Sequence, residues 1–197
     1  MDIWRREDGM EQCQYKNAAD GLKYKFVAEL VSIGCSIIMI VPIIGTLIGL
    51  YGLIVCSIVG VVALYLISKD IPRIKMALIL AVVEIVLATA NAASGGMLLL
   101  SLARSAVSFL VVFFVCKALS ESLAEHGALE IADKGELVWK LYFICTAIGM
   151  VISIIMYIPI LNLIGALVGA LTSLASVVAS VIYFIFLYKS YKFYATY

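Results

Sequence analysis

Apolar residues run through this chain in stretches too long for a fold that faces water. A helix that crosses the hydrocarbon of a bilayer needs about 20 predominantly apolar residues. Six such stretches can be read, at 26–44, 45–68, 74–93, 96–117, 137–158 and 159–188. They join in pairs with almost no loop. Pro42 with Gly45, the segment 91–96, and Pro159 with Asn162 mark the breaks, because proline removes a backbone donor and glycine costs conformational entropy in a helix. The pattern predicts an all-α integral membrane protein with six transmembrane helices arranged as three hairpins, 26–68, 74–117 and 137–188. These form one transmembrane domain, 26–197, after a polar segment 1–25, with an acidic linker at 118–136.

Composition supports the bilayer as solvent. The 197 residues are 64% hydrophobic and 14% charged, and the mean hydropathy is +1.13. An ordinary soluble domain carries about 25% charged residues. With 14 basic and 13 acidic residues there is no basic footprint for nucleic acid, so none is expected as a partner. Segment 1–20 mixes Arg5 and Arg6 with Glu7, Asp8 and Glu11 and does not read as a secretory signal. The five cysteines show no CxxC spacing and read as small buried hydrophobes. No metal or other cofactor is implied.

Where the charges fall sets the expected orientation. Lys16, Lys23 and Lys25 precede the first stretch. Lys69, Arg73 and Lys75 separate the first hairpin from the second, Lys117, Lys134 and Lys140 flank the second connection, and Lys189 and Lys192 follow the last. The hairpin tips carry no charge. The positive-inside rule then puts both termini and the two connections in the cytoplasm and all three tips outside, with the plasma membrane as the expected location. Tyr24, Tyr65, Trp139, Tyr142, Tyr188, Tyr191 and Tyr194 fall near the charged ends, where amphipathic rings are favoured.

The first and third hairpins resemble one another. SIIMIVPII at 36–44 recurs as SIIMYIPIL at 153–161, and Lys23 and Phe26 align with Lys140 and Phe143 in the same register. After a three-residue slip, Gly45, Gly49 and Lys69 align with Gly165, Gly169 and Lys189. Both copies enter from the same side, which makes this a parallel repeat. Each second helix carries small residues at helical spacing: Gly45, Gly49, Gly52, Cys56 and Gly60 in one, Gly165, Gly169, Ser173, Ser176 and Ser180 in the other. Small residues let backbones approach where lipid offers no hydrophobic drive for association.

Only Glu84 and Arg104 place formal charge deep inside the apolar stretches. At about 1.5 Å per residue, both should lie roughly 12–15 Å below the second tip. Their expected role is an ion pair that fixes how two helices meet, or a ligand site, with Asn91 as the next polar candidate. His126 falls in the acidic linker and reads as solvated. Spans without a histidine or a carboxylate cluster lack the base that a nucleophile or metal would need, so no enzyme activity is expected. The sequence best fits a non-catalytic bundle that acts by packing in the membrane, with lipid, another membrane protein or a second copy as its partner. The alternative is a small-solute carrier or channel that uses Glu84 and Arg104. An intramembrane enzyme has the least support.

The topology can be tested by labelling. In a cysteine-free background, cysteines at Gly95 or Asn162 should react with an impermeant thiol reagent applied to intact cells. Cysteines at Asp70 or Lys134 should react only after lysis, and the opposite pattern would invert the orientation.

Overall fold

A computed structural model describes residues 15–38, 44–155 and 162–196. Among the described residues the chain forms six α-helices and no strand. These are α1 (Lys16–Ile38), α2 (Ile44–Asp70), α3 (Lys75–Ala93), α4 (Leu98–Glu125), α5 (Leu129–Ile155) and α6 (Asn162–Thr196). A 3-10 turn, Pro72–Ile74, links α2 to α3. Pro72 opens that turn, where its missing N–H leaves no intrahelical bond unmade.

Among the described residues, five helices are long and apolar enough to cross a membrane, over Tyr51–Asp70, Pro72–Ala93, Leu98–Glu125, Leu129–Ile155 and Leu171–Thr196. Large apolar side chains on them point outward. Leu99 is 75% exposed, Leu171 65% and Leu174 68%, a surface that only lipid can solvate. The chain is therefore a membrane-embedded helical protein. The first expected span, 26–44, coincides with α1 only as far as Ile38; residues 39–43 lie outside the described residues, and Ile44 opens α2. Pro42 and Pro159 lie outside them too.

The described chain divides into two compact units. One contains the residues up to Leu78 and those from Leu187 onward. In it α1 and α2 run antiparallel, held at both ends. Asp70, at the end of α2, accepts hydrogen bonds from the Ala18 backbone N–H (2.7 Å) and the Asn17 side-chain amide (3.0 Å). Its carboxylate thus caps the first turn of α1, where free N–H groups and the helix dipole favour negative charge. One turn further on, Gly21 lies so close to α2 that a Cβ would fall 2.5 Å from Ile67 and 2.7 Å from the Ala63 carbonyl. At the other end, a Cβ on Gly52 would collide with the Cys35 sulfur. Leu22, Leu64, Ile67, Ile74 and Leu187 are fully buried in this unit. The end of α6 joins it by stacking Tyr194 on Tyr15, with ring centres 5.5 Å apart.

The second unit is Ile79–Phe186. Here α4 and α5 pack antiparallel along their length. Ser120 donates to the Ala132 carbonyl (2.9 Å), Phe113 meets Trp139 edge to face (5.2 Å) and Phe109 meets Phe143 (5.5 Å). Gly135 is the closest approach, since a Cβ there would strike Ser120 and lie 2.9 Å from the Phe186 ring. The segment 118–136 is helical apart from one turn. α4 continues to Glu125 and α5 starts at Leu129, and the reversal is made by Gly127 at φ 79°. Ala128 N–H bonds to the Leu123 carbonyl and Gly127 N–H to that of Ala124, a closure that requires the left-handed conformation glycine adopts freely. His126 adds a bond from Nδ1 to the Ser122 carbonyl oxygen (2.7 Å), so the lone histidine has a helix-end role.

The small-residue stripes are used in part. Gly52 contacts α1, buried Gly60 faces Lys25, and Gly169 lies within ordinary contact distance of Ile152 on α5. Ser173 is exposed and bonds back to the Gly169 carbonyl of its own helix, so it makes no close helix contact. The packing around Gly45, Gly49 and Gly165 lies outside the described residues. The two glycines with the tightest contacts to backbone or ring, Gly21 and Gly135, belong to neither stripe.

This packing predicts a ranking of stability losses in detergent. Asp70→Ala should cost about 1–2 kcal/mol, the value of a lost helix cap. Gly21→Leu should cost more, because the Ala63 carbonyl cannot move aside. Glu136→Ala, which breaks only the exposed pair with Lys140, should cost less than about 0.5 kcal/mol. Equal melting temperatures for all three would contradict the assigned contacts.

Candidate functional site: a polar cleft in the second unit

Three helices of the second unit turn polar faces toward one cleft. α3 supplies Glu84 and Asn91, separated by two helical turns. α4 supplies Ser101, Arg104, Ser105 and Ser108. α5 supplies Tyr142, Thr146, Gly149 and Ser153, at positions i, i+4, i+7 and i+11 of one helical stripe. Phe109 and Met150 add apolar wall. The cleft encloses ≈ 470 Å³, within the range of about 300–1,000 Å³ usual for small-molecule sites.

The reversal between α3 and α4 is closed by Gly95 (φ 72°) and Gly96 (φ 84°), with Gly96 N–H bonded to the Asn91 carbonyl (2.9 Å). Below it, the Ser101 hydroxyl donates to Asn91 Oδ1 (3.3 Å). That bond ties the two helices together just below the turn. With Asn91 level with Ser101, Glu84 is level with Ser108, and Arg104 lies about one turn, roughly 6 Å, nearer the loop.

The expected ion pair is not formed. Glu84 and Arg104 line the same cleft, yet no carboxylate oxygen comes within 4.0 Å of the guanidinium. Glu84 is half-buried and Arg104 is exposed to the cleft. Ion pairs along single helices are Lys25–Glu29 (2.6 Å), Lys134–Glu130 (2.7 Å) and Lys140–Glu136 (2.9 Å).

The hydroxyls and the charges differ in what they demand. Ser105 donates to the Ser101 carbonyl (3.0 Å) and Ser153 to that of Gly149 (2.8 Å). Such bonds to the preceding turn satisfy the O–H inside the helix and leave the oxygen lone pairs for another donor. A serine face can therefore stay dry. A carboxylate and a guanidinium without partners cannot, because an uncompensated ion in low dielectric is strongly disfavoured. Water or a polar ligand must reach them.

The α5 wall is the part that sequence reasoning did not find. Tyr142 reads as an interfacial ring by position, but it lines the cleft with its hydroxyl 3.2 Å from Ser180 Oγ on α6. The signal for this wall is the spacing of Tyr142, Thr146, Gly149 and Ser153, a polar line through an otherwise apolar helix. Among the described residues no group of three or more His, Cys, Asp or Glu side chains is placed to hold a metal ion.

Because the two charges share one cleft, the effects of Glu84→Gln and Arg104→Gln on thermal stability in detergent should couple by about 0.5–3 kcal/mol, and strict additivity would show that they act independently. A double variant more stable than either single one would instead show that the two charges meet in solution.

Compared with known protein families, characterised proteins and solved structures, the chain matches none.

Proposed function

We propose that this membrane protein binds a small polar solute in the cleft of its second unit and passes it across the membrane as a carrier or channel. One observation carries the reading: polar faces of three apolar helices converge on a cleft that holds two opposite charges with no ion-pair partner among the described residues. A bundle that acted only by packing would have no use for ions that cost so much in hydrocarbon. The packing role favoured by the residue pattern thus gives way to the solute-binding alternative. The proposed role is non-catalytic.

The same reading includes six spans in three hairpins, with both termini in the cytoplasm and the protein in the plasma membrane, where lipid is its immediate partner. The charge distribution supports this, as does α1 lying antiparallel to α2. The duplication of the first and third hairpins also has support. Gly52 meets Cys35, and Gly169 meets Ile152. Residues 35 and 152 are separated by the same interval as 52 and 169, and as the two prolines. The helix contact therefore follows the proline register without the slip inferred from the glycines alone.

Two measurements test the solute reading. In a cysteine-free background, Ser105→Cys and Ser153→Cys should react with a small water-soluble methanethiosulfonate, while Leu174→Cys on the lipid-facing surface should not. Proteoliposomes should take up at least one solute from a panel of small polar compounds faster than protein-free vesicles, with Glu84→Gln and Arg104→Gln each lowering that rate about tenfold, or about 1.4 kcal/mol. Unreactive cleft cysteines together with no accelerated solute would reject the proposal.

A further inference from the structure

We infer that the ligand of this cleft is a small zwitterion whose cationic group faces Glu84 and whose anionic group faces Arg104. The inference rests on the solute-binding reading above and names the chemical class that the cleft admits.

The charges decide the class. The cleft contains one carboxylate and one guanidinium. A purely anionic guest would neutralise Arg104 but leave Glu84 uncompensated and bring a second negative charge close to it. A purely cationic guest would do the reverse at Arg104. A neutral polar guest would displace water from both and replace it with weaker partners. Only a guest with both signs pairs both ions, and it adds no net charge to a site inside the membrane.

Geometry agrees with charge. Asn91 and Ser101 meet near the turn, which staggers Glu84 and Arg104 by roughly one helical turn; the two side chains form no ion pair with each other and are near enough for one short dipolar molecule to touch both. The guanidinium offers a planar fork that grips a carboxylate or phosphate by two bonds. The oxygens of Ser105 and Ser108, on the same face as Arg104, can accept bonds from an ammonium. Phe109 and Met150 provide an apolar surface for a short hydrocarbon side chain. An amino acid with an aliphatic side chain has these features, and so does the ethanolamine phosphate headgroup of a lipid. The two share the same charge pattern and differ in source.

Matched ligands separate the possibilities. The full chain in a neutral detergent would be titrated with L-leucine, its methyl ester (cation only) and N-acetyl-L-leucine (anion only). A parallel series would use glycerophosphoethanolamine, ethanolamine and glycerol 3-phosphate. Thermal stabilisation should show one zwitterion binding at least tenfold more tightly than either of its single-charge counterparts. Leucine as the tighter zwitterion indicates a free solute, and glycerophosphoethanolamine a lipid headgroup. Glu84→Gln should abolish the advantage over the anionic analogue, and Arg104→Gln the advantage over the cationic one. A single-charge analogue that binds as tightly as its zwitterion overturns the inference, yet leaves the solute reading intact provided the cleft cysteines react and a solute is moved. Failure of both zwitterions to bind also overturns it. Because the ligand series is measured on the unaltered protein, the outcome does not depend on the variants folding.

Discussion

A bilayer offers no hydrogen bonds, and most of this molecule follows from that. Every backbone N–H and C=O within the hydrocarbon must be satisfied by the chain itself, which leaves helices as the form for such apolar stretches. The side chains obey the same constraint. Serines and threonines bond back to the preceding turn, as Ser57, Thr89, Ser105, Ser153, Thr172, Ser173 and Ser176 do. Charges pair along a helix or lie near its ends. Glu84 and Arg104 escape both solutions, which is why the cleft between them stands out chemically.

Association of helices under this constraint depends on close approach and on a few polar ties. Gly21 and Gly135 permit backbones and rings to meet where no larger residue fits. Asp70 joins the two ends of the α1–α2 pair through the free N–H groups of α1. The Asn91–Ser101 bond does comparable work between α3 and α4. A single bond of this kind contributes only about 1 kcal/mol, but it selects one register among several that apolar packing alone would tolerate. Register then decides which side chains are neighbours, and so decides the chemistry of the cleft.

Two kinds of polar residue in the spans therefore have different meanings. Hydroxyls that close on their own helix are compatible with lipid or protein on every side. They mark a surface that can accept water or ligand without requiring it. The carboxylate and guanidinium require it. The combination gives the second unit a cleft whose walls tolerate being empty and whose charges favour occupation.

Much of the architecture was legible in the residues alone. Runs of apolar side chains, the breaks around 91–96, and the lysines at the helix ends identify a multi-helix membrane protein because hydropathy is summed over local sequence. Glu84, Arg104 and Asn91 were legible as candidates for the same reason: each violates the local pattern. The helical continuation of α4 and α5 through 118–136 was less visible, since polar composition there suits a loop or an exposed helix equally well. What only the tertiary structure decided was who meets whom. Apolar faces that look alike in sequence permit many registers, and a shift of one turn moves a side chain by about 5.4 Å. Register and packing left Glu84 and Arg104 as two separate charges, brought Tyr142, Thr146 and Ser153 of α5 to the same cleft, and placed Gly21 and Gly135, outside the repeated stripes, at close helix contacts alongside Gly52. Such pairings depend on distances between helices, and no local property of the chain encodes them.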